Sequence, residues 1–411
     1  MLCLASALGS GSHLGMHQLL SALYVLRLGF GAETVGTLSA TGALSFSAAC
    51  LLGGVLGVRL GSQRTTILGV IIFTVGMGMS PLATLLAPAL RLPWLVAGQI
   101  VLSVGWSMQV VSLIASMAAA TDLHNRGPAY ALRETFASVG MLVGSAVGGL
   151  LPGLVASLLG RTTDDPVPYA LSLAVTVLGG ALTMVPVILG GRATAGEVSA
   201  EAAAQGPGVA VAASDPSAAG EAPARFRLEP ILLILLACGF ATNAAHAACK
   251  TFATVYMDTV HGVPTSVIGT VTSIGMGVTA VAALSSSRLA RRRNSGQMMM
   301  LGGAGMVASL LLMSLVQAPL GAMAGLVGVY GVLGLWRPAY QSLQMSLARP
   351  EYRSLVSGAS SMGMSLGFGA MGYVGGHIAA ASGYQAVFLA GAGAAVVSVA
   401  LGAALARRSA S

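Results

Sequence analysis

The chain has 411 residues, 55% of them hydrophobic and 8% charged, with a formal net charge of +8. Soluble domains carry about 25% charged residues, so this composition excludes a globular protein that faces water on every side. It excludes a nucleic-acid binder as well, because the arginines lie in short loops between apolar stretches, where the orientation signals of membrane proteins belong.

In chain order, apolar stretches of about 20 residues, enough to cross roughly 30 Å of hydrocarbon, recur from end to end. They predict helices at 2–26, 35–57, 66–88, 94–119, 128–156 and 168–190, then at 230–257, 265–286, 297–317, 320–346, 353–380 and 385–405. The first begins at once with "MLCLASALGSGSHLG", without the basic n-region of a cleavable signal peptide. The missing polar leader points to a start a few residues upstream. The 56 glycines suit this reading, since small residues let helices approach closely in lipid. Cys3, Cys50, Cys238 and Cys249 fall inside apolar spans without metal-type spacing and read as small buried hydrophobes. Neither a metal nor a cofactor is expected.

Between the sixth and seventh helices, "GGRATAGEVSAEAAAQGPGVAVAASDPSAAGEAPARFR" is too polar and too rich in small residues to bury a core. It divides the chain into a six-helix half at 1–190, a flexible linker at 191–229 and a second six-helix half at 230–411. With the linker in the cytoplasm, Arg59, Arg64, Arg126, Arg192, Arg225, Arg227, Arg288, Arg291, Arg292, Arg293, Arg349, Arg353, Arg407 and Arg408 share that side. Only Arg27, Arg91 and Arg161 lie outside, which puts both termini inside a plasma (inner) membrane. Arg133, Lys250 and Arg337 remain within spans.

The halves resemble each other. "GMLVG" (140–144) matches "GMSLG" (363–367), "LGFGAETVGTL" resembles "HGVPTSVIGTV", and "GVRLGSQR" resembles "SSRLARRRN", in the same order and at corresponding places. Tandem halves of this kind are one of the repeat designs of secondary transporters. With these motifs the chain resembles the major facilitator superfamily over essentially its whole length. The resemblance implies an all-α membrane protein of twelve transmembrane helices in two pseudo-symmetric halves, with helices one, four, seven and ten lining a central cavity. The family's loop pattern G-x-L-x-D-R-x-G-R-R is met by Gly54, Leu56, Arg59, Gly61 and Arg64 in "GVLGVRLGSQR". By resemblance, Gly54, Arg59, Gly61, Arg64 and the second-half Arg288 serve gating. Val58 stands where the family has an acid that latches one gate, and Ser287 takes the same place in the second copy. "GMLVGSAVGG" (140–149) resembles an antiporter pattern, with Ser145 in place of its proline, and Gln99 stands where many proton-coupled efflux members have an arginine.

Lys250 is the only lysine beside nineteen arginines. Aligning the halves on Gly36 and Gly269 sets His13 opposite His246 and His17 opposite Lys250, each pair spaced i,i+4 on one helical face. Asn243 extends the face in helix seven. The alternative is bland: Lys250 lies about seven residues, roughly 10 Å, from the helix end and can snorkel to the headgroups. In helix ten, Tyr330, Gly334, Arg337, Gln341 and Gln344 form one stripe, and an ionisable group as deep as Arg337 marks a pathway by default. Trp106 and Trp336 read as packing. Glu134, the only carboxylate well inside a span, either carries a proton or pairs with a loop arginine such as Arg126.

Two cations, three histidines and several amides suit an anionic or zwitterionic small solute. The expected substrate-binding residues are His17, Asn243, His246, Lys250, Tyr330, Arg337 and Gln341, and the expected proton-coupling residues are His13 and Glu134. The predicted function is proton-coupled secondary transport by a monomer in the lipid bilayer, without nucleic acid. Efflux of drugs or amphipathic metabolites is the alternative, and a non-transporting receptor on the same fold is a third reading. No triad order, phosphate loop or paired carboxylates speak for an enzyme.

Overall fold

The computed structural model describes residues 1–119, 126–190, 230–289, 294–347 and 353–408. The linker 191–229 therefore lies outside the described residues. Twelve helical rods emerge. α1 runs through Leu2–Ser10, a π-helical stretch Gly11–His17 and Gln18–Arg27. It is followed by α2 (Ala32–Leu60), α3 (Ser62–Leu82), α4 (Pro88–Ala119), α5 (Arg126–Leu159) and α6 (Pro166–Leu182, with helix resuming over 184–190). The second half holds α7 (Pro230–Thr259), α8 (Thr265–Leu289), α9 (Ser295–Leu315), α10 (Pro319–Leu347), α11 (Arg353–Ser382) and α12 (Tyr384–Arg408). Among the described residues, nine helices are long and apolar enough to cross a membrane.

α4, α6 and α10 start earlier than hydropathy alone predicts. These three, like α7, open on a proline, a residue whose fixed φ and missing N–H suit the first helical position. Only Gly61 separates α2 from α3, at φ 86° and ψ 148°. That region of the backbone map is open essentially to glycine alone, which gives the motif glycine its physical reason. Gly61→Val should cost about 1–3 kcal/mol and lower the melting temperature of the purified protein; an unchanged melting curve would show that the turn rearranges freely.

The pairing of helices repeats between halves. α1 packs on α5 and α6 as α7 packs on α11 and α12, while α3–α4 and α2–α4 correspond to α9–α10 and α8–α10. The halves join through α2 against α11 and α5 against α8. Gly36 meets Gly372 and Gly376, and Gly269 meets Gly149. A Cβ on Gly149 would lie 2.7 Å from the Gly269 Cα, so no side chain fits at that crossing. The glycines that align the halves in sequence are thus the equivalent crossing points on either side of the pseudo-twofold axis.

The chain ends of α1 and α12 define one face of the bundle, and the turns 28–31, 160–165 and 260–264 define the other. Contacts between halves run from this second face to mid-bundle. Tyr169 pairs with Thr265 at 2.8 Å, Ser39 with Thr251 at 3.4 Å, and Ser273 and Ser365 donate to the carbonyls of Leu142 and Ala43. Arg27, at the end of α1, grips Asp258, near the end of α7, through two 2.7 Å hydrogen bonds. The two halves are therefore closed together on the Arg27 face.

Candidate functional site

α1 does not carry its histidines on a plain α-helix, as the i,i+4 spacing led one to expect. Residues Gly11–His17 are π-helical, a wider turn that recurs at functional sites. The signal in sequence is the run "GSGSHLG" (9–15): its small residues let this wide segment lie against α5, where Gly11 faces Gly140 and Gly15 faces Met141 and Gly144. His13 and His17 stay neighbours, with ring centroids 6.1 Å apart. His13 also meets Trp106 at 5.0 Å and Phe73 edge-on at 5.5 Å. Trp106 is thus part of the wall around His13 and not packing alone. His17 reaches Thr176 of α6 at 3.4 Å.

The equivalent segment of α7 is an unbroken α-helix. His246 is buried, edge-on to Tyr330 of α10 at 6.1 Å and to Phe368 of α11 at 5.8 Å. The Lys250 ammonium lies 6.0 Å from the centroid of the Phe368 ring, within cation–π range. Phe368 sits near the middle of α11, so the lysine points into the bundle. Its charge lies one turn from His246 on the same face of α7. Tyr330 and Arg337 lie seven residues apart on one face of α10, and Tyr330 fixes that face toward α7. Contacts thus gather His13 and His17 with Trp106, and His246, Lys250 and Tyr330 around Phe368 and one another. Buried ring nitrogens of His13, His17 and His246 have no hydrogen-bond partner among the described residues.

Other predicted residues fall differently. Asn243 is buried, but its amide donates to the Gly239 carbonyl one turn back at 3.0 Å; that bond ties it to its own helix. Arg337 and Gln341 are exposed, on the part of α10 nearer the chain termini. Of the two readings of Glu134, the arginine pair is the one seen, with its neighbour Arg133 in place of a loop arginine. Its side chain is 64% exposed. Trp336 is packing, stacked on Tyr340 at 4.6 Å. Of the gating set, Arg59 and Arg64 are exposed beside the Gly61 turn. Gly54 lies within α2, and the surroundings of Gly54 and the side chain of Arg288 fall outside the described residues.

The sequence analysis placed Arg27 on the outer side and did not foresee its pairing with Asp258. The side chains are 18% and 6% exposed, and Arg27 also donates to the Thr163 carbonyl at 3.0 Å and lies 5.5 Å from the Tyr169 ring centroid. The two partners stand 231 positions apart, a distance at which no local pattern signals contact.

The model of the Major Facilitator Superfamily matches residues 3–366. Among solved structures, a variant of the nucleoside transporter NupG superposes with a TM-score of 0.72 at 14% identity, covering 98% of each chain. A bacterial homolog of the human lysosomal transporter Spinster, described as inward-facing and occupied, gives 0.68 at 15% identity over 99% of this chain and 95% of that one. The inward-open xylose transporter XylE from E. coli gives 0.69 at 13%, covering 96% and 94%. At these identities the likeness establishes a shared fold. No curated protein sequence matches the chain.

Proposed function

Because the chain belongs to the Major Facilitator Superfamily and is a multi-pass membrane transporter, not an enzyme, we propose that it moves a small anionic or zwitterionic organic solute by alternating access, linked to protons. What supports this reading is that Lys250 and Arg337 are cations within spans, Lys250 beside Phe368 in mid-bundle, with no carboxylate paired to either among the described residues. A charge within a span costs roughly 2.5–3.5 kcal/mol on insertion scales, and an anionic solute is the partner that offsets it. His13, His17 and His246 are buried within spans, and imidazole changes charge near neutral pH, which supports proton linkage. The arginine bias supports a carrier in the plasma (inner) membrane with both termini in the cytoplasm, and the carrier is read as a monomer. Rocking of 1–190 against 230–411, with 191–229 as a passive linker, is the proposed motion, gated at the termini face by the loops around Arg59–Arg64 and Arg288.

Efflux of amphipathic compounds has one observation in its favour, the Trp106–Phe73 wall beside His13. A cationic drug, however, needs a buried acid, and Glu134 is exposed and already paired.

The test is a thermal-shift panel of lactate, succinate, glutamate and phosphate against glucose and choline, followed by flux in proteoliposomes. A binding anion at a hundred times its Kd should stabilise the protein by about 2.7 kcal/mol, and its flux should respond to an imposed pH gradient. Stabilisation by choline or glucose alone would reject the anionic reading, and binding without flux would leave a receptor.

A further inference from the structure

Three rings from three helices meet inside the first half. The His13, Phe73 and Trp106 rings of α1, α3 and α4 stand with centroids 5.0 to 5.5 Å apart. Trp106 and Gln109 face into the bundle. Each lies nine positions, about two and a half helical turns, from a residue of the exposed side of α4, Trp106 from Ala97 and Gln109 from Ile100. Both also touch Gly9 of α1, where a Cβ would stand 2.8 Å from the Gln109 amide nitrogen and 3.4 Å from the Trp106 ring. His13, His17 and Gln109 are 6%, 2% and 2% exposed. Yet His13 Nδ1, His17 Nε2 and Gln109 Oε1 have no hydrogen-bond partner among the described residues. Leaving a buried polar atom unpaired is costly, and three of them beside one group of rings call for a partner from outside the chain.

His17 fixes what that partner must be. Its Nδ1 meets Thr176 Oγ1 of α6 at 3.4 Å. The Thr176 hydroxyl has a single proton and donates it to the Leu173 carbonyl at 2.7 Å, so toward His17 it can only accept. Nδ1 therefore carries the N–H of the uncharged ring, and Nε2 is left as a bare acceptor. Gln109 Oε1 is an acceptor too. A carboxylate, which only accepts, satisfies neither; an N–H or O–H does.

We propose that α1, α4 and α6 form a second recognition point, which takes a flat ring bearing an N–H or O–H donor and joined to the anionic group of the solute. The ring packs on Trp106, its donor is received by His17 Nε2, and Thr176 is the positioning residue that keeps that nitrogen bare. The anionic group stays with Lys250, and for that end alone this rests on the anionic-solute reading above. The two ends are compatible with one solute, because Leu19 of α1, two residues past His17, shares a hydrophobic core with Cys249 and Phe252 on either side of Lys250.

The experiment measures affinities of the purified full-length protein by calorimetry at pH 8, where imidazole is ordinarily uncharged. The probes are two pairs that differ in the donor, 4-hydroxyphenylacetate with phenylacetate and indole-3-acetate with 1-methylindole-3-acetate. Cyclohexylacetate, without a flat ring, and the uncharged 4-hydroxyphenylethanol complete the set. In at least one pair the donor should tighten binding about tenfold. His17→Leu should erase that advantage and leave the donor-free member of the pair unchanged, which also reports that the variant is folded. Thr176→Val should shrink the advantage and Thr176→Ser should keep it. Trp106→Leu should weaken both members of a pair alike and leave cyclohexylacetate unchanged. If the carboxylates bind but the donor makes no difference in either pair, or its advantage survives His17→Leu, the proposal is overturned and the anionic site stands, the buried nitrogens holding water only. If 4-hydroxyphenylethanol binds as tightly as 4-hydroxyphenylacetate and depends on His17, the anionic reading falls and the ring site stands. If no probe binds, both fall.

Discussion

Lys250→Met is expected to weaken binding of anionic solutes by about a hundredfold while neutral ligands keep their affinity. Truncating one member of a desolvated charge pair costs roughly 2–5 kcal/mol, and tenfold in affinity corresponds to about 1.4 kcal/mol. The geometry favours this result over a snorkelling lysine, since the ammonium stands over Phe368 in mid-bundle. Lys250→Arg should recover only part of the loss, because a planar fork does not reproduce a point charge. The pH profile of binding between pH 5 and 8 should also move, since Lys250 lies one turn from His246 on the same face of α7. Affinity measured by calorimetry on protein with wild-type helicity decides the matter. An unchanged affinity and profile would assign Lys250 to packing and withdraw the main support for an anionic solute.

Breaking the Arg27–Asp258 pair should shift the conformational balance almost as strongly. The pair bridges the halves through two short charged hydrogen bonds and is mostly shielded from water. Removing one partner of a buried pair costs about 3–5 kcal/mol, so Arg27→Ala or Asp258→Ala should favour opening of the Arg27 face by roughly two orders of magnitude or more. The readout is maleimide labelling of a cysteine placed at Ser39, on the seam with Thr251; it should quicken in either variant. The exchanged pair Arg27→Asp with Asp258→Arg should restore slow labelling in part; a merely structural loss would not be rescued. Slow labelling in both single variants would place the closing force in the glycine crossings at Gly36–Gly372 and Gly149–Gly269 instead. Val58 makes the comparison informative, because the family's acid latch at the termini face is missing from "GVLGVRLGSQR", and this chain holds its visible ion-pair lock at the opposite face.

The class of molecule, the twelve spans and the doubling of six helices were legible in the order of amino acids alone. Hydrophobic length, proline punctuation and an arginine bias are local signals, readable without a partner in view. Lys250, His13, His17, His246 and Arg337 were legible too, because a polar residue inside an apolar span stands out at once. Which way those residues point became visible only once the helices were packed. Lys250 faces Phe368 and not the headgroups, Glu134 is exposed, and Asn243 bonds to its own helix, although all three looked alike as polar residues in apolar runs. Helical periodicity assigns a face, but not the neighbour that face meets. The π turn at Gly11–His17 follows from close packing against Gly140 and Gly144, and the Arg27–Asp258 lock joins residues from opposite halves. Both arise where separate helices meet, so contact between distant parts of the chain decides them, and no stretch of sequence contains it.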